Sequence, residues 1–175
     1  MKVYTIIGGV NGTGKSSLIG VLKTQTPDPG MIIDEDRIDS CLHRQISFTQ
    51  ETTLSGRKTE RTAARAKELG YTVRLFYVGL DTPEECLARI ANRVRRGGHD
   101  IPEDDVRRRF AGRWESLSRV LPYCDDAHFF DNNNGFSEVA QYKNGELILM
   151  GTAHPRWVLE LANYLQSCTP AGPSV

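Results

Sequence analysis

A three-layer αβα sandwich on a mainly parallel, five-stranded sheet is the fold this sequence predicts, and three observations predict it. Short apolar runs alternate with stretches of helical periodicity along most of the chain, the pattern of a parallel sheet with helical crossovers. The first run, 3–8, passes through a glycine-rich turn into a helix at 17–23 in which Leu18, Ile19, Val21 and Leu22 are apolar. Near the end, Asn144-Gly145 separates two alternating runs, 136–142 and 146–150, and predicts a small C-terminal hairpin.

The glycine-rich turn, 9–16, reads Gly-Val-Asn-Gly-Thr-Gly-Lys-Ser and fits the G-x-x-x-x-G-K-[ST] spacing of a P-loop, here placed between a strand and a helix as that motif requires. Backbone N–H groups can wrap a polyphosphate only where side chains stay out of the way, so Gly9, Gly12 and Gly14 suit an anion-binding nest. The helix that follows turns its positive end toward the same phosphates. Lys15 is expected to reach the β and γ phosphates of ATP, and the Ser16 hydroxyl to join a Mg²⁺ shell. Asn11, Thr13 and Ser17 complete the expected nucleotide-binding set.

One core suffices for 175 residues, so a single domain is expected over 1–168, with an arginine-rich lid at about 93–109 and a flexible tail at 169–175. Lys plus Arg equals Asp plus Glu at 22 each, which gives no reason to expect nucleic acid or an anionic membrane as partner. Cys41, Cys86, Cys124 and Cys168 form no C-x-x-C pair and read as small buried hydrophobes. With no signal-like opening and no long apolar run, a cytoplasmic protein is expected.

In chain order, a Pro- and Gly-bearing turn at 24–30 leads to a short strand at 31–33 that ends in Asp34-Glu35-Asp36. Ligands of open parallel sheets sit beyond the carboxyl ends of the strands, so these acids fall on the P-loop edge. A helix over 37–45 buries Ile38, Cys41 and Leu42, and a strand at 46–50 brings Glu51, Thr52 and Thr53 to the same edge. A thin-faced helix, 55–69, and a central strand, 71–79, follow. Thr82-Pro83-Glu84-Glu85 is a capping box with Pro at the first helical position. The helix it starts has Cys86, Leu87, Ile90 and Val94 as its buried stripe and Arg89, Arg93 and Arg96 along one flank. Gly97-Gly98 breaks it. One helix is then predicted from Pro102, with Val106, Phe110, Trp114, Leu117 and Leu121 on one face, Arg107, Arg109 and Arg113 flanking it and Arg108 opposite. A strand at 127–130 ends in the loop 131–135, which suits either an adenine contact or a plain Asn-rich turn, and a helix at 157–165 closes the chain.

A P-loop alone does not say what the nucleotide is for. Acids at two strand ends facing an arginine-rich, glycine-hinged segment suit phosphoryl transfer to a small acceptor, because charge developing on the transferred group needs cations. Positions 89–119 hold nine arginines against five acids, and two or three of the nine suffice for that role. Asp36 suits a general base, with Asp34 as its rival, and Glu51 suits either acceptor positioning or a Mg²⁺-bound water. His99, with no His or Cys at metal spacing, reads as a hydrogen-bonding residue of the lid. The competing class is a regulatory module that binds ATP without modifying a small molecule.

Four stretches carry a family resemblance: Gly-Gly-Val-Asn-Gly-Thr-Gly-Lys-Ser-Ser from Gly8, Met-Ile-Ile-Asp-Glu-Asp from Met31, Ser-Phe-Thr-Gln-Glu-Thr-Thr-Leu-Ser from Ser47, and Arg-Val-Arg-Arg-Gly-Gly-His-Asp-Ile-Pro from Arg93 with Arg-Arg-Arg-Phe after it. In this order they resemble the zeta toxin family across nearly the whole chain. The resemblance implies a kinase that moves the γ-phosphate of ATP to a sugar nucleotide, UDP-N-acetylglucosamine being the family's known acceptor and its amino-sugar 3′-hydroxyl the target. It implies Asp36 as general base, Glu51 with Thr53 as acceptor-binding residues, and Arg96 and Arg109 as phosphate-facing lid arginines. An antitoxin partner is implied as well. An antibiotic, a nucleoside or a sugar acid would serve the same chemistry as acceptor.

Overall fold

A computed structural model describes residues 1–25 and 30–168. The expected tail at 169–175, and most of the expected turn at 24–30, lie outside the described residues. The elements run β1 (Val3–Gly8), α1 (Lys15–Gln25), β2 (Met31–Ile32), α2 (Ile38–Arg44), β3 (Phe48–Thr52), α3 (Lys58–Glu68) and β4 (Thr72–Gly79). They continue with α4 (Pro83–Arg95), α5 (Glu103–Ala111), α6 (Arg113–Val120), β5 (Asp126–Asp131), β6 (Ser137–Lys143), β7 (Glu146–Leu149) and α7 (Arg156–Cys168).

The sheet has seven strands in the order β2-β3-β1-β4-β5-β6-β7, which corrects the expected count of five. The first five are parallel, and the expected hairpin is their continuation: β6 pairs antiparallel with β5, and β7 with β6. The reason is local. The link from Asp131 to Ser137 is too short for a helical crossover, so the chain can only turn back along the β5 edge. Asn144 and Gly145 then take positive φ, 54° and 84°, which a tight hairpin turn requires.

Strand alternation divides the core. Tyr4 and Ile6 point into a large cluster with Leu42, Phe48, Ala63, Leu117, Trp157 and Leu161, formed where α2, α3, α6 and α7 cover one face. Ile7 points the other way, to Leu18, Ile19 and Leu22 of α1 with Phe76 and Val78. A third cluster, Val10, Leu80, Cys86, Ile90 and Val106, joins α4 and α5 to the carboxyl rim of the sheet. It anchors the arginine-rich segment beside the glycine loop.

The single helix predicted from Pro102 is two. Gly112, a poor helix former, separates α5 from α6 and redirects the apolar stripe: Val106 and Phe110 stay with the rim cluster, while Trp114 and Leu117 enter the main core. Arg113 bridges the break with its guanidinium 3.7 Å from the Phe110 ring centre. The predicted capping box of α4 is present, Glu85 N donating to Thr82 Oγ1 at 3.2 Å and Thr82 N to Glu85 Oε2 at 2.8 Å. Val94 is exposed, because the buried residues of α4 end at Ile90. Cys168 is also exposed, unlike the other cysteines, and all four thiols are free. Trp157, fully buried, donates from Nε1 to Asp131 Oδ1 at 2.8 Å and so ties α7 to the end of β5. Among the described residues no helix is long and apolar enough to cross a membrane.

Candidate active site

The loop at 9–16 joins β1 to α1 beneath the rim cluster. Gly12 has φ +83°, and a Cβ there would stand 2.4 Å from the Cys86 carbonyl oxygen of α4. Gly14 has φ +104°, and its Cβ would meet Asn132 Nδ2 at 2.4 Å. At Gly12 a side chain is opposed both by conformation and by a backbone neighbour, and at Gly14 by conformation, since Asn132 could swing aside. Thr13 Oγ1 donates to Val10 O at 2.9 Å and closes the curl of the loop.

Lys15 is 8% exposed and donates to Val10 O at 3.2 Å. Burial pulls its pKa down to about 8, the Glu51 carboxylate opposes that, and the guanidinium groups of Arg93 and Arg109 add to it. The side chain is therefore folded back on its own loop, at the floor of a cleft of about 290 Å³ whose walls include Gly12, Ser16, Glu51, Arg89, Arg93 and Asn132.

Glu51 is placed by sheet register. It belongs to β3 rather than lying beyond its end, opposite Ile7 of β1 and hence one residue short of the loop's entry strand end. From there its carboxylate accepts from the Ser16 hydroxyl, at 2.9 Å to Oε2 and 3.1 Å to Oε1. Ser16, Lys15 and Glu51 thus form one constellation. Asn11 joins it to the arginine-rich segment, because Asn11 Oδ1 accepts from Arg109 Nη1 at 2.7 Å. Arg109 Nε is buried and has no hydrogen-bond partner among the described residues.

A second cavity of about 530 Å³ shares Lys15, Asn11 and Glu51 with this constellation and extends along the ends of β2 and β3. Asp34, Glu35, Thr53 and Ser55 line it. Thr53 Oγ1 donates to Ser55 Oγ at 3.3 Å, and Glu35 pairs with Lys58 at 2.9 Å. Asp36 is exposed on the short 3-10 turn Glu35–Arg37 and is not among the lining residues, whereas its rival Asp34 is. The tight turn is what separates the two acids.

The arginines divide similarly. Arg89 and Arg93, one helical turn apart on α4, line the glycine-loop cleft. Arg96 follows the last residue of α4 as its C-cap, is exposed, and lines instead an adjoining depression with Arg93, Gly97 and Gly98. Arg93 Nη2 donates to the His99 carbonyl at 2.9 Å, which folds the glycine break against the helix. Arg95 bonds Asn92 and Arg108 pairs with Asp105 at 2.8 Å, both exposed contacts within one helix. Sequence reasoning placed Asn132 in a loop suited to an adenine contact or a plain turn and did not single it out, yet its Nδ2 donates to Thr13 O at 2.8 Å and its carbonyl accepts from Arg89. The expected 131–135 loop therefore touches the glycine loop itself; the available signal was an Asn-rich run after a strand on the ligand edge.

No protein-family model matches the sequence. An uncharacterized protein of Haemophilus influenzae is 33% identical over 126 residues, covering 58% of this chain and 88% of that protein. Among solved structures, the AvrRxo1-ORF1:-ORF2 complex with ATP superposes with TM-score 0.61 at 17% identity, covering 95% of this chain and 76% of that one. A structure of the PezAT chromosomal toxin–antitoxin system of Streptococcus pneumoniae gives TM-score 0.60 at 16% identity, covering 99% of this chain and 80% of that one. The chain belongs to the family of the Haemophilus influenzae protein, and its fold is the zeta-toxin-like one shared with the AvrRxo1 and PezAT structures.

Proposed function

We propose that this protein is an ATP-dependent kinase that transfers the γ-phosphate to a hydroxyl group of a small acceptor. The observation that carries the reading is the continuity of two cavities through Lys15 and Glu51, one walled by the glycine loop and arginines, the other by carboxylates and hydroxyls. A nucleotide-binding module that only orders a partner has no use for the second. The AvrRxo1 complex, whose structure holds ATP, supports the choice of nucleotide.

In this reading the loop amides and Lys15 hold the β and γ phosphates, and Lys15 exchanges its bond to Val10 O for phosphate oxygen. Arg109, held by Asn11 and with its Nε unpartnered, and Arg93 on the cleft wall neutralise charge on the transferred group, with Arg96 reaching in from the rim when the segment closes. A carboxylate at the end of β2 takes the proton of the acceptor hydroxyl as that oxygen bonds to the γ phosphorus: Asp36 by the zeta-toxin resemblance, or its rival Asp34, which lines the cavity where Asp36 does not. The bond from phosphorus to the β–γ bridging oxygen breaks, and ADP leaves with its electron pair. Adjacent hydroxyl and carboxylate oxygens of Ser16 and Glu51 are the donor types Mg²⁺ selects, so these two residues would hold it, directly or through water. Held there, Mg²⁺ would supply positive charge against the phosphates of the donor.

The resemblance to zeta toxins points to UDP-N-acetylglucosamine as acceptor, bound by Glu51 and Thr53. The toxin–antitoxin organisation of the PezAT neighbour supports an antitoxin-like protein partner. Incubating the protein with ATP, Mg²⁺ and a metabolite extract tests the central claim by mass spectrometry. A phosphorylated small molecule that is absent with Lys15→Ala is the expected result; tight ATP binding with no product from any source would replace the kinase with a binding module.

A further inference from the structure

Resting on the kinase reading, one buried amide fixes what the acceptor must offer beside its reacting hydroxyl. We infer that Gln50 is a specificity-determining residue of the second cavity: held from behind by Tyr4, its amide NH₂ group donates to a carbonyl oxygen of the acceptor next to the hydroxyl that receives the phosphate.

Gln50 belongs to β3, one residue before Glu51, and lies opposite Ile6 of β1. Strand alternation sends the two neighbours to opposite faces of the sheet, so Glu51 meets Ser16 of α1 while Gln50 turns to Tyr4 and the main core. Gln50 is 5% exposed, yet it lines the cavity with Asp34, Glu51 and Thr53. Only the tip of such a side chain can meet a ligand, so the orientation of its amide decides what it recognises.

Tyr4 sets that orientation. Its phenol is fully buried, and burial pushes its pKa far up, so it keeps its proton. The hydroxyl donates to Gln50 Oε1 and makes no other hydrogen bond among the described residues. A buried O–H needs an acceptor, and with the amide reversed this one would face an NH₂ group instead. Oε1 is thus committed to Tyr4, and Nε2 is the end left for the cavity. Nε2 has no hydrogen-bond partner among the described residues, and it is not one of the sealed, unpaired buried atoms, so it opens onto the cavity it lines.

The rest of the lining answers other groups. The carboxylates of Asp34 and Glu51 accept, and the hydroxyls of Thr53 and Ser55 donate or accept. Lys15 serves the donor phosphates, and Asn11, whose Oδ1 is taken by Arg109, sits on the glycine loop. A ligand hydroxyl can be matched by many of these, whereas an oxygen with no proton to give is matched by Gln50. The end of β2 runs alongside, Ile33 N donating to Thr49 O at 2.9 Å, and brings the Asp34 carboxylate beside Gln50. The carbonyl that Gln50 reads therefore neighbours the reacting hydroxyl. An acylamino group and a carboxyl group both supply one.

The test compares UDP-N-acetylglucosamine with UDP-glucose, which has a hydroxyl in place of the acetamido group, and identifies the product formed from a metabolite extract. The variant Tyr4→Phe/Gln50→Met removes both partners of the buried bond and leaves neither unpaired, which spares the fold. It should raise the acceptor KM by about 10-fold, the worth of one hydrogen bond, while the KM for ATP stays near wild type. It should narrow the preference for UDP-N-acetylglucosamine over UDP-glucose by the same factor. Tyr4→Phe alone, which lets the amide turn, should do both to a lesser degree. An unchanged preference, or an equal rise in both KM values, overturns the inference. Where neither sugar nucleotide is phosphorylated, the extract product decides. An acylamino or a carboxyl group on the carbon next to the phosphorylated hydroxyl supports the inference and tells the two sources apart. A product without such a carbonyl overturns it and leaves the kinase reading standing, and no product from any source removes the kinase reading itself.

Discussion

The glycine-loop cleft and the acid-lined cavity share Lys15 and Glu51, yet they are constructed by opposite rules. In the cleft most polar side chains are already bonded within the protein: Lys15 to Val10 O, Ser16 to Glu51, Asn132 to Thr13 O, Arg89 to Asn132 O and Arg93 to His99 O. In the cavity Glu35, Gln50, Glu51 and Thr53 are bonded too, but the exposed Asp34 carboxylate has no ion pair among the described residues and makes no capping hydrogen bond, and Asp36 lies just outside on a short turn. A preassembled site pays no ordering cost when its ligand arrives, and that suits a donor common to every turnover. A loosely furnished one leaves room for an acceptor to choose.

The largest effects should come from the preassembled side. Lys15→Ala should lower kcat/KM by about 10³, and Arg109→Ala by a comparable factor, since each removes a cation from the transferred phosphoryl group. Arg96→Ala should cost at least an order of magnitude less than Arg109→Ala, because Arg96 lies on the rim. Steady-state kinetics with saturating acceptor would show the difference; equal losses would mean that the rim closes fully over the phosphates and that the cleft is less preformed than described.

On the other side, Asp36→Asn should lower kcat by about 10² or more while ATP affinity, read by titration calorimetry, stays near wild type. A larger kcat loss in Asp34→Asn than in Asp36→Asn would move the base to the cavity wall and break the division of roles. Asn11→Ala, which frees Arg109 without removing it, should cost about 10-fold in kcat with little change in acceptor KM.

The smallest effect concerns pH. The Lys15 pKa, lowered by burial to about 8 from the ordinary 10.5, makes nucleotide affinity decline as pH rises above about 8. For stability the sign reverses: the buried cation disfavours the folded state below that value, and folding stability rises between about 8 and 10.5 as the native lysine neutralises first. Lys15→Met should therefore raise Tm by about 2–4 °C near neutral pH, a shift worth about 1 kcal/mol, while abolishing nucleotide binding. A lower Tm would show that the Val10 bond outweighs the burial.

What was legible in the sequence was whatever local chemistry decides. The glycine loop announces itself because glycine alone suits the positive φ of positions 12 and 14 and the approach of Cys86 O to the first, and the α4 start because Thr82 and Glu85 satisfy each other's N–H groups. The extension of the sheet to seven strands was not legible, since pairing of β6 with β5 depends on which edge the chain meets after Asp131. The helix break at Gly112 was hidden by an apolar stripe that continues through it although its two halves enter different clusters. At the site, sequence spacing grouped Arg96 with Arg89 and Arg93, but α4 ends at Arg95, so the shared flank stops one residue short. The 3-10 turn likewise separates Asp36 from Asp34, which a plain strand-end reading placed together.

The hydrogen bond between the Trp157 indole and Asp131 gives the protein a built-in optical probe. Asp131 immediately precedes Asn132, which grips the glycine loop, and the Trp157 ring lies 6.2 Å from that of Trp114. Occupancy of the loop by nucleotide should thus register as a change in tryptophan emission, so that ligand affinity can be followed in the unlabelled, wild-type chain, with Trp157→Phe silencing the signal.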